Sequence, residues 1–154
     1  MYSKQEATML TQQFWTSFGQ YMAPVLSAEG EKINWVNYKT GVKDTRFTMM
    51  ATTASAKISI TLSHNDTALQ NLYFQKFVEL ERILHTFLEE QWQWQQNISN
   101  EHGKTISEIF IILQPVNVLN SQHWPAIISF LKPRMIALDK FWCGYKYAFE
   151  GMGL

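Results

Sequence analysis

The sequence predicts an α+β fold in which about five mainly antiparallel strands carry helices packed on the sheet, in the order α-β-β-β-α-β-β-α. Two changes of rhythm predict it. Near the start, apolar residues recur at spacings of one, three and four, the helical period; from Ile33 to Ser63 the chain turns to Ile, Val, Thr, Tyr and Phe, contains no proline, and alternates at period two. A third observation is size. The chain has 154 residues, 46% hydrophobic and 14% aromatic, which is enough for one sizeable core, and we expect a single domain over 1–154.

The first helix runs from about Glu6 to Met22, with Met9, Leu10, Phe14, Phe18 and Tyr21 on its apolar side. Ser3, with Glu6 three residues on, forms a capping-box start, and Pro24 stops the helix. APVLSAEGEK reads as a loop. Ile33 to Ser63 reads as three strands in a meander, punctuated by Gly41 and the small residues from Thr52 to Ala56. In the third strand Ile58, Ile60 and Leu62 alternate with Ser59, Thr61 and Ser63, so one face of the sheet is core and the other polar.

Asp66 or Asn65 caps a second helix with Leu69, Leu72, Tyr73, Phe77, Leu80, Leu84, Phe87 and Leu88 on one broad stripe. QNLYFQ within it is close to a protease-linker sequence, but its apolar residues keep the phase of the stripe on both sides, which marks it as native helix. QWQWQ and TISEIFIILQ, separated by the polar NISNEHGK, form a second hairpin with a long loop. Asn120 or Ser121 opens the last helical region, with Pro125 in its first turn and Pro133 starting a second segment.

Thirteen Lys and Arg balance thirteen Asp and Glu, so the whole-molecule field offers no general attraction for nucleic acid or anionic lipid. The lone Cys143 has no partner for an internal disulfide, and no charged-then-apolar leader opens the chain, so a cytoplasmic setting is expected. No apolar run approaches the roughly 20 residues of a spanning helix, and no membrane association is expected.

Three segments, FWTSFGQYM, SAEGEKINWVNYKTGVKD and HWPAIISFLKPRMIALDKFW, together resemble a bacterial family catalogued as domain of unknown function 4268. The resemblance covers nearly the whole chain. Members of that family also occur C-terminal to restriction-type nuclease domains, and the resemblance brings no catalytic or ligand-binding residue to positions here.

That association makes a PD-(D/E)XK nuclease the first chemistry to test, because that fold also begins α-β-β-β-α-β. The reaction needs a metal-binding Asp and an acidic residue two positions before a Lys, so that two carboxylates hold a divalent ion against the phosphate. No Asp or Glu in this chain has Lys two residues later, and KISITLSH has no carboxylate. A degenerate fold of that kind without nuclease activity stays open. SFLK, SHN and KTG are reminiscent of penicillin-recognising serine enzymes, but they occur in reversed order in too short a chain. His64, His85, His102 and His123 have no spacing that pairs two imidazoles on one face, so no metal is expected. Cys143, between Trp142 and Gly144, reads as an inert thiol, and no glycine-rich phosphate loop follows a strand; no cofactor is expected.

Charge placement remains. Between Lys32 and Ser63, Lys32, Lys39, Lys43, Arg46 and Lys57 face only Asp44, whereas the second helix is acidic. If Lys39, Lys43 and Arg46 share an open face with Trp35 or Tyr38, the surface suits single-stranded nucleic acid; otherwise the lysines protect strands from edge pairing and the aromatics lie in the core. Trp35 and Tyr38, three apart, are expected on opposite faces of a strand that ends in a turn at Lys39, Thr40 and Gly41.

The leading expectation is a non-enzymatic protein-binding module. Its element order is similar to that of type III secretion chaperones, by topology alone, which brings a possible homodimer. A nucleic-acid-binding accessory domain in a nuclease-linked or defence system is the alternative. An enzyme assembled from scattered residues such as His64, Asp44 and Tyr38 is the third.

Overall fold

The computed structural model describes residues 2–152. Helix α1 (Lys4–Met22) starts at the expected capping box: the Ser3 hydroxyl accepts from the Glu6 N–H, and the Glu6 carboxylate accepts from the Ser3 N–H. Strands β1 (Thr45–Ala51) and β2 (Ala56–Leu62) form a hairpin, followed by α2 (Thr67–Glu79), α3 (Glu81–Leu88), β3 (Gln93–Ser99), β4 (Thr105–Leu113) and α4 (Trp124–Tyr145). Single 3₁₀ turns lie at Ser121–His123 and Lys146–Phe149.

The sheet is antiparallel throughout, in the order β1-β2-β4-β3. Among the described residues it has four strands, not five. Ile33 to Thr40 forms no strand, because the Asn34 side chain accepts from the N–H groups of Val36 and Asn37 and turns the chain there. A local side-chain bond has overridden β propensity.

The alternation in β2 holds. Ala56, Ile58, Ile60 and Leu62 join the core, together with Phe47, Ile109 and Trp94 from the neighbouring strands. Helices α2 and α4 pack on that face, and α1 packs on α4, where Phe14 meets Trp124 edge-on at 5.7 Å. The opposite face carries Lys57, whose ammonium lies 2.8 Å from Glu108, and Ser59, which donates to the same carboxylate.

Two helices differ from expectation. The second is two segments, because at Leu80 the chain leaves helical geometry (φ −96°, ψ 8°), which lets α3 turn Leu84 and Phe87 toward α4. Within α2, Leu72 is exposed while Gln70 is fully buried, donating to the carbonyls of His64 and Thr105 and accepting from Ser107. The last helix, by contrast, passes through Pro133 without a break. A proline in a helix interior costs ~3 kcal/mol, and here buried Ile127, Ile128 and Leu131 before it and Met135, Leu138, Phe141 and Trp142 after it hold both halves in one line.

Among the described residues, no helix is long and apolar enough to cross a membrane.

Candidate interaction site

The connection from Ala23 to Asp44 has no helix or strand, although structureless loops beyond about 12–15 residues are uncommon in compact domains. Side-chain bonds hold it in place. The Trp35 indole donates to the Val25 carbonyl (3.0 Å), Tyr38 donates to Asp139 (2.6 Å), the Ala28 N–H donates to the other oxygen of Asp139 (2.7 Å), and the Trp142 indole donates to the Thr40 carbonyl (2.7 Å). Asp139 and Trp142 both belong to the inward face of α4, so the helix that fills the core also pins the connection.

The aromatic pair lies on one side of the chain, not on opposite faces. Trp35 is 2% exposed, its ring 6.1 Å from that of Tyr38, and Tyr38 stacks on Phe47 at 5.2 Å. Both rings belong to or pack against the core. Burial, reinforced by the carboxylate of Asp139, holds the Tyr38 phenol well above its ordinary range.

Lys39, Lys43 and Arg46 are exposed, as the charge pattern led us to expect, and they line one groove. It runs between the 36–44 segment and β1, encloses about 620 Å³, and includes Asp44 as its single carboxylate. Among the described residues none of the three cations forms an ion pair. Gly41, at φ +78°, makes the expected turn after Lys39. Thr40 is buried; its hydroxyl donates to the Thr45 carbonyl at 2.6 Å and fastens the loop to the start of β1.

Tyr38, Asp44 and His64 line no common cavity among the described residues. Tyr38 and Asp44 border the groove, while His64 is 4% exposed beneath Tyr73, ring centroids 4.3 Å apart. Neither imidazole nitrogen has a hydrogen-bond partner, and burial lowers its pKa from the ordinary 6.5. Cys143 is half-buried and borders a separate recess of about 420 Å³ with Tyr38 and Asp139.

A family model described as Domain of unknown function (DUF4268) matches residues 10–146. The chain belongs to that family. No curated protein and no solved structure matches it. The DUF4268 match runs from within α1 to the end of α4, so the basic groove and the α4 residues that shape it all lie within the family region.

Asp139 is the positioning residue that sequence reasoning missed. Met135, Leu138, Asp139 and Trp142 are buried at helical spacing, so a carboxylate standing in phase with an apolar stripe was the available signal.

Proposed function

We propose that this chain is a non-enzymatic interaction module that holds a segment of another protein in the groove beside β1. One observation carries the reading: three cations without ion-pair partners among the described residues surround an open groove, and the rings that border it, Tyr38 and Phe47, are stacked on each other. Such a groove attracts an acidic partner without offering a stacking platform.

Single-stranded nucleic acid draws on the same cations but also needs exposed rings for its bases. Trp35 is buried with its indole N–H committed, and the Tyr38 ring packs beside Trp35 and on Phe47, so only the electrostatic half of that mode is present. The degenerate nuclease reading rested on three strands after the first helix, and two are found there. A homodimer through this groove would set two cationic rims against each other, so a second copy suits it poorly.

The test is retention of a peptide array of graded charge by immobilised protein, with oligothymidylate in parallel. Acidic peptides are expected to bind in a salt-sensitive way, with loss on the double change Lys39→Glu and Lys43→Glu. Retention of oligothymidylate alone favours the nucleic-acid reading; retention of neither at low salt removes the groove as a binding site.

A further inference from the structure

The two edges of the sheet are not alike. Edge strand β3 is interrupted: its register with β4 shifts between Gln95 and Ile98, Asn97 adopts φ +55°, and most of its residues are exposed and polar. Bulges of this kind discourage pairing with another chain. Edge strand β1 has no such defence. Its register with β2 is unbroken from Thr45 to Ala51, and it contains no proline, no glycine and no lysine.

Which backbone groups face outward follows from the ladder. The Ser63 N–H donates to the Asp44 carbonyl, and the Thr52 N–H to that of Ser55. In an antiparallel pair the bonded residues alternate, so Arg46, Thr48 and Met50 turn their amides and carbonyls toward β2, and Thr45, Phe47, Met49 and Ala51 turn theirs away. Thr45 checks this phase independently, since its N–H donates to Val42 and its carbonyl accepts from Thr40, both on the outer side. That loop covers the first outward pair. At the far end Val116 and Val118 donate to Ala54 and Thr52 at the hairpin tip. Phe47, Met49 and Ala51 remain, and the first two line the groove that holds Lys39, Lys43 and Arg46.

We infer that β1 is a strand-addition site: an extended acidic segment of a partner protein pairs with the backbone of Phe47 and Met49, its carboxylates meeting Arg46, Lys43 and Lys39. This rests on the interaction-module reading and names its partner chemistry. Main-chain pairing supplies affinity in such complexes, while alternate side chains supply selection. Arg46 points to the open face of the sheet, where the matching position of an added strand lies directly beside it. Acidic residues on every second position of the partner therefore satisfy the rim, and small β-branched residues fit the intervening positions. The occupant is a foreign strand and not a second β1, because symmetric pairing would bring Arg46 and its loop lysines against their own copies.

The probe is an end-blocked peptide of alternating Val and Glu, compared by calorimetry and amide-resolved NMR with the same sequence N-methylated along its backbone. The expected result is salt-sensitive binding, shifts centred on the Phe47 and Met49 amides, and at least about tenfold weaker binding of the methylated form, which cannot pair. Equal affinity of the two peptides would overturn strand addition while leaving charge-based protein binding intact. Failure of both peptides to bind at low salt, or binding undiminished by Lys39→Glu with Lys43→Glu, would remove the rim and the underlying reading together. Self-association abolished by Arg46→Glu would likewise overturn the inference in favour of a second copy.

Discussion

Removing the Asp139 carboxylate tests how the groove is built. Its two oxygens accept from Tyr38 Oη at 2.6 Å and from the Ala28 N–H at 2.7 Å, and the residue is 5% exposed. Hydrogen bonds to a carboxylate are worth about 1.5–3 kcal/mol each. Ala28 is itself exposed, so water replaces part of that bond, and Asp139→Ala is expected to cost about 3 kcal/mol. For a chain of this length that corresponds to a fall in Tm of roughly 6–12 °C. Asp139→Asn keeps one acceptor for Ala28 and can donate to the Tyr38 oxygen if the hydroxyl reverses, so about 1–2 kcal/mol is expected. Tyr38→Phe should cost about as much, and the two changes should be coupled by ~1 kcal/mol in a double-mutant cycle. Urea unfolding followed by tryptophan fluorescence measures all four. An Asp139→Ala variant within about 1 kcal/mol of wild type, or an Asn variant as damaged as the Ala one, would show that the carboxylate does not pin the connection.

Stability should also fall in alkali. Burial raises the Tyr38 pKa above the unfolded value of 10.0, so its contribution is intact below pH 10 and is lost as pH climbs further; Tyr38→Phe should flatten that limb of a stability-pH curve. His64 acts in the opposite direction. Its pKa is depressed from 6.5 by burial, so its contribution is present above pH 6.5 and is lost as pH falls below it. His64→Phe, which retains a ring against Tyr73 and removes two unpartnered nitrogens, should flatten the acid limb as measured by chemical denaturation at several pH values. Asp66 accepts from the N–H groups of Ala68 and Leu69, and its change to Ala should cost ~1 kcal/mol by thermal unfolding, as for other lost N-caps.

Where periodicity and capping act over neighbouring residues, the fold was legible in the sequence. Ser3 with Glu6, the alternation Ile58–Ile60–Leu62 and the Asp66 cap appear as read, and the second hairpin forms with a shorter loop, because β3 runs on through Asn97, Ile98 and Ser99. The misses arose where a local side-chain bond or a distant partner overrides composition. Ile33 to Thr40 has strand-like composition, yet the Asn34 turn and the bonds from Asp139 and Trp142, about a hundred positions away, give it another path. Pro133 signals a break, but packing on both flanks outweighs it.

The site was legible to a similar depth. Exposure of Lys39, Lys43 and Arg46 followed from charge placement, whereas their sharing one groove was left open by it. The packing of Trp35 and Tyr38 on one side of the chain did not follow either, because it depends on the company of Phe47 and Asp139. Nor did the contrast between the two sheet edges, since strand order is set by long-range pairing.

Residue-resolved amide exchange on the free protein puts the account to its most direct trial. The amides of Arg46, Thr48 and Met50 should be protected by β2, and those of Phe47 and Met49 should exchange orders of magnitude faster. Equal protection along the whole of β1 would mean that its outer side is already occupied, and the groove would have no strand left to receive.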